Sequence, residues 1–240
     1  MADGLAVTQA GGYAGMLEAA DPWCLRPGEA AALLAGHPWR RFAVLGDSVA
    51  AGLGDPVPGY VELSWCDRIR AELAGVRPDL AYLNLGERDL RAAEIRQRQL
   101  DPALRFAPDL VLLAAGGNDA LRRSYDPDAV DGELAAMITA LRASGAEVIT
   151  VGMFNVSYAP SFPDPVKHLV RERMDMLSAR TARLAARLGA IHTDCSGHPA
   201  ERDPGSYSAD GIHGNLRSHG ICAALTVRRL GVFLGNTFPA

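Results

Sequence analysis

The stretch Arg41-Phe42-Ala43-Val44-Leu45-Gly46-Asp47-Ser48-Val49-Ala50-Ala51 decides how the whole chain is read. Residues 42–45 are continuously apolar and stop at a glycine. A short run without polar alternation suits a strand covered on both faces, as in a parallel sheet. Gly46 lets the backbone turn without a Cβ clash, so Ser48 stands just past the strand end. A serine hydroxyl is a weak nucleophile alone and needs a base within hydrogen-bond reach. A serine in this place equally suits a helix cap, and the stretch by itself leaves both readings open.

Working outward, four more short apolar runs read as strands: residues 80–85, 110–115, 148–153 and 190–193. Helical patterns separate them over 60–73, 90–100, 127–143 and 166–188, with a last helix over 216–230. Strand–helix alternation along the chain predicts a doubly wound α/β fold. Ligands in such folds bind beyond the carboxyl ends of the strands. Residues 1–40 are rich in Ala and Gly and carry the breakers Asp21-Pro22 and Arg26-Pro27, with a short helix over 29–35. They read as an N-terminal extension packed on the main domain, residues 41–240.

Bulk properties exclude several classes of partner. The 240 residues carry 24 basic and 28 acidic side chains, a net charge of −4, and no basic stripe that would favour nucleic acid. The longest apolar stretch, 110–117, is too short to cross a bilayer. Met1-Ala2-Asp3 lacks the positive region of an export signal. Cys24, Cys66, Cys195 and Cys222 are widely spaced, with no Cys-x-x-Cys pair, and read as reduced thiols with no zinc site or disulfide framework. A cytoplasmic address is expected. The sequence assigns no oligomeric state.

Three further signals fall after strands or before the last helix. In Asp210-Gly211-Ile212-His213 a spacing of three lets a carboxylate turn back to the ring Nδ1–H, leaving Nε2 free to take a proton. A surface Asp and His in a glycine-rich loop is the plainer alternative, and His219 competes as the base. Ala114-Ala115-Gly116-Gly117-Asn118-Asp119 places an amide donor at the third strand's end, where it suits developing charge on an oxygen. It is also a common turn and cap. Asn84-Leu85-Gly86 follows the second strand and alone suggests only a turn.

Taken together, the four blocks resemble those of the GDSL/SGNH hydrolase family, in order and separation, over residues 41–230. Gly46-Asp47-Ser48 is similar to the nucleophile block, Gly86 to the second block's glycine, Gly116-Gly117-Asn118-Asp119 to the third, and Asp210-x-x-His213 to the last. The resemblance implies a three-layer α/β/α, flavodoxin-like fold with a five-stranded parallel sheet. It further implies Ser48 as nucleophile, His213 as base and Asp210 as orienting acid. An oxyanion hole would use the backbone N–H groups of Ser48 and Gly86 and the Asn118 amide. Three departures stand out: Val49-Ala50-Ala51 after the serine, Gly214 where proline is frequent, and Glu87 after Gly86.

Other chemistries fit less well. The α/β-hydrolase elbow needs Gly-x-Ser-x-Gly, but Ala50 holds its last position. Gly52-Leu53-Gly54-Asp55-Pro56 lacks dinucleotide spacing, no Walker loop occurs, and the remaining histidines show no metal-ligand spacing. No cofactor and no metal are expected. The resemblance implies a serine hydrolase acting on a small-molecule ester or thioester. An acyltransferase using the same residues and a non-catalytic binding module are the alternatives. The aromatic, proline-rich segment 153–165 reads as a substrate loop, with Phe154, Tyr158 and Phe162 as its contacts, or as a rigid connection.

Overall fold

The computed structural model describes residues 16–239. In chain order its helices and strands are α1 (Met16–Ala20), α2 (Glu29–Leu33), β1 (Arg41–Gly46), α3 (Ser48–Ala51), α4 (Trp65–Val76), β2 (Ala81–Asn84), α5 (Ala92–Phe106), β3 (Leu110–Ala114), α6 (Gly117–Ala120), α7 (Pro127–Ala143), β4 (Glu147–Gly152), α8 (Asp164–Leu188), β5 (Ile191–Asp194) and α9 (Leu216–Leu234). The five strands form one sheet in the order β2-β1-β3-β4-β5, and each neighbouring pair is parallel. This is the flavodoxin-like order, whose switch point lies between β1 and β3.

The side-chain period of two divides each strand between two cores. Phe42 and Val44 of β1, Leu110 and Leu112 of β3 and Ile149 of β4 pack with α2, α4 and α9 on one face. Ala43 and Leu45, Val111 and Leu113, and Val148 pack with α5, α7 and α8 on the other. The result is three layers, α/β/α. Continuous burial of β1 and β3 explains why their sequences show no polar alternation.

Local chemistry sets the helix ends. α4 begins at Trp65 and not near residue 60, because Ser64 stays extended and its Oγ accepts from the Asp67 N–H. α5 runs on to Phe106 through Pro102, past the expected end at residue 100. Proline forfeits one backbone bond there, but Ala103 is fully buried and Leu104 and Phe106 pack on the second core. Asp126 caps α7 through the N–H groups of Asp128 and Ala129, with Pro127 preorganised at its start.

Within the N-terminal extension, Ala30, Leu33, Leu34 and Trp39 belong to the first core. Arg228 of α9 donates to Glu29 of α2 at 2.6 Å, and Gly231 approaches Leu33 so closely that a Cβ would sit 2.8 Å from its Cδ2. The part of the extension that covers residues 1–15 lies outside the described residues. No helix among the described residues is long and apolar enough to cross a membrane.

Candidate active site

β1 ends at Gly46, whose N–H and C=O are both held by the side chain of buried Gln99, at 2.8 and 2.9 Å. A Cβ at Gly46 would lie 2.2 Å from the Ala114 carbonyl oxygen, so the β1 and β3 ends can close together only around a glycine. Asp47 caps α3 by accepting from the Val49 N–H, and Ser48 occupies the first helical position. Its N–H therefore has no intrahelical acceptor.

His213 arrives from a loop that precedes α9. The Ser48 hydroxyl donates to His213 Nε2 at 2.9 Å, and His213 Nδ1–H donates to Asp210 Oδ2 at 2.5 Å. Asp210 Oδ1 also accepts from the N–H groups of Ile212 and His213, each at 3.0 Å. Partial burial pushes the Asp210 carboxyl upward, but these hydrogen bonds and the nearby ring hold it below its ordinary range. The loop is tied down although Gly214 replaces a proline. Tyr207 and Gly214 form an antiparallel bridge, and the Ser208 N–H donates to the His213 carbonyl at 2.8 Å. An imidazole between a hydroxyl and a carboxylate can take the hydroxyl proton and return it to a leaving group.

His219 has other work. The Trp65 N–H donates to its Nδ1 at 3.1 Å and its Nε2–H donates to the Leu53 carbonyl at 3.1 Å. Burial pushes this ring down to about 4, leaving a neutral brace between α9, α4 and the loop after α3.

The Asn118 amide reaches the same crevice from α6, just past the end of β3. Its Nδ2 donates to the Leu90 carbonyl at 3.0 Å and to Asp47 Oδ2 at the longer distance of 3.3 Å. Burial pushes the Asp47 carboxyl up to about 6, against the pull of the Val49 N–H and of His213, and the Asp119 charge adds to the rise. Gly86 is placed differently from an open donor. Its N–H donates to Asn84 Oδ1 at 2.8 Å, and a Cβ on it would lie 2.3 Å from the Ala51 nitrogen. Asn84 Nδ2 in turn donates to the Ala50 carbonyl at 2.9 Å, so this block braces α3 and with it Ser48. The unusual backbone in that loop belongs to Asp89, a non-glycine residue at φ 66°, next to the Leu90 carbonyl that holds Asn118.

A cavity of about 130 Å³ opens beside Ser48, Asn118 and His213. Phe154 lies on its wall, as do Val151, Met174, Cys195 and Cys222. Tyr158 and Phe162 are not among its lining residues. Tyr158 stacks with the guanidinium groups of Arg171 and Arg202, at 4.6 and 5.1 Å from its centroid, and Phe162 packs on the second core. Only part of the 153–165 segment therefore faces the cavity. The place of Trp65, Cys195 and Cys222 on this wall was not legible in the sequence, because core and cavity share one apolar signature. Among the described residues no group of three or more His, Cys, Asp or Glu side chains converges on a metal position.

A flavodoxin-like sheet with a Ser, His and Asp constellation at its switch point defines the layout of an SGNH hydrolase. The family model for GDSL-like lipases and acylhydrolases matches residues 44–221, and the chain belongs to that family. An arylesterase from Vibrio mimicus is 30% identical over 125 residues, a match that covers 51% of this chain and 57% of that protein. Similar solved structures include an α/β-hydrolase enzyme from the metagenome of Lake Arreo, Spain, with a TM-score of 0.66 and 19% identity over 83% of this chain and 98% of that one. A lipase/acylhydrolase from Enterococcus faecalis gives 0.64 and 22%, over 81% and 96%. An acetylxylan esterase from Geobacillus stearothermophilus gives 0.64 and 18%, over 82% and 95%. At these identities the likeness shows the fold.

Proposed function

We propose that this protein is a serine esterase that hydrolyses a carboxylic ester through an acyl-enzyme on Ser48. The observation that carries the reading is the continuous hydrogen-bonded line from Ser48 Oγ through the His213 ring to Asp210. In the first half-reaction the Ser48 proton passes to His213 Nε2 while Oγ bonds to the ester carbon. The tetrahedral oxyanion is received by the Ser48 N–H and by the Asn118 hydrogen that spans 3.3 Å to Asp47 before substrate binds. The C–O bond to the alcohol then breaks, and the proton on Nε2 goes to the leaving oxygen. Water enters by the reverse path, giving its proton to His213, and the acid is released with Ser48 restored.

Gly86 acts in this scheme by bracing α3, because its N–H is already engaged by Asn84. The arylesterase named above supports an ester as the bond broken. The four free cysteines suit the cytoplasmic address expected from the sequence. Two experiments test the reading. A fluorophosphonate should label Ser48, and Ser48→Ala should reduce kcat on p-nitrophenyl esters by about 10⁶. Near-normal turnover in that variant would refute the mechanism.

A further inference from the structure

The position of the cavity relative to the proton path says which half of the ester it takes. The leaving oxygen must meet His213 Nε2, whose loop carries the exposed Asp210. The alcohol therefore departs toward solvent, and water must arrive from the same side. What remains on Ser48 is the acyl group, and the cavity runs along the carboxyl edge of the sheet, with Ile212, His213 and Gly214 of the loop forming one side of it. Ser48 follows β1, Phe154 follows β4 and Cys195 follows β5. β3 and β4 lie between β1 and β5 in the sheet. Cys195, with an exposure of 1%, thus bounds the far end, beside Val151 and the α9 side chain Cys222.

The walls are chemically selective. Among the described residues no Lys or Arg lines the cavity, so an acyl group carrying a carboxylate or phosphate meets no permanently charged cation from them. Asp47, buried in the lining beside Ser48, repels such a charge when ionised. A hydrogen bond with Cys222, and then burial, push the Cys195 thiol up, so this wall stays uncharged at neutral pH. The volume of about 130 Å³ is slightly below the roughly 150 Å³ of an apolar cavity that takes up benzene.

We infer that this cavity is the acyl pocket of the esterase and accepts an uncharged apolar acyl group of about four to six carbons, ending against Val151, Cys195 and Cys222. The inference rests on the esterase reading above and deepens it. Filling the pocket should raise kcat/KM about fourfold per methylene from acetyl to the optimum, and decanoyl should fall at least about tenfold below that optimum.

The test is a p-nitrophenyl ester series from acetate to decanoate, run with fluorophosphonate labelling of Ser48, and a second series of acetates with lengthening alcohols. Cys222→Phe should move the acyl optimum to shorter chains. Cys222→Ala should move it to longer ones, and serves if the bulkier variant does not fold. Labelling of Ser48 with a flat acyl profile, or a response to alcohol length in place of acyl length, would overturn the pocket assignment and leave the nucleophile standing. Absence of both labelling and ester turnover in folded protein would overturn the esterase reading and the pocket with it.

Discussion

Replacing Asp47 with asparagine isolates the energetic cost of a charge at the floor of the site. Asp47 is 2% exposed, and burial raises its carboxyl from an ordinary 3.8 to about 6. A carboxyl that is harder to ionise in the folded state binds more protons there than in the unfolded chain. Stability contributed by this group therefore falls as pH rises from about 4 to about 6, and the penalty is complete above that. A shift of about two units corresponds to about 3 kcal/mol, of which about 2 kcal/mol develops between pH 4.5 and 8. Asp47→Asn removes the ionisation. It also turns an acceptor into a donor facing the Asn118 amide, since the side-chain oxygen is required by the Val49 N–H. That second effect offsets the variant's stability by a constant, whereas the first changes its slope with pH. Urea denaturation at pH 4.5, 6 and 8 should show the variant gaining about 2 kcal/mol relative to wild type across the range. Parallel stability curves would refute the account of Asp47 as a buried, reluctantly ionised carboxyl.

Three other substitutions probe separate parts of the site. Asn118→Ala should lower kcat by about 10² to 10³ with a nearly unchanged fold, checked by steady-state kinetics and circular dichroism. Asp210→Asn should cost about 10³ to 10⁴ in kcat, because the ring loses the acceptor that fixes its tautomer, and equal kcat values would contradict that role. Gly86→Ala should cost at least about 2 kcal/mol of stability in thermal or chemical melts, because its Cβ would overlap the Ala51 nitrogen at 2.3 Å. A fully stable Gly86→Ala would show that α3 can shift without strain.

The parallel strands were legible because burial on both faces writes itself as uninterrupted apolar sequence, as in residues 110–114. The helix Pro127–Ala143 was legible to the residue because Asp126 and Pro127 start it by local chemistry. Ser48, His213 and Asp210 stood out through motif and spacing, and the fold brings them into one hydrogen-bonded line. Gly86 was harder, since nothing local announces that Asn84 folds back to occupy its N–H. The choice between His213 and His219 depended on long-range partners, Trp65 and Leu53, which no helical pattern reveals. Tyr158 was drawn away from the cavity by Arg171 and Arg202, which lie 13 and 44 positions further along the chain.

Ser48 and His213 are 165 positions apart, and the cavity walls from Tyr207 to Cys222 come from the same late segment. During synthesis the hydroxyl emerges long before the imidazole that activates it, so the growing polypeptide carries an inert serine until that segment docks. Refolding should show the same order, with helical signal returning early and turnover returning only with the slowest long-range closure.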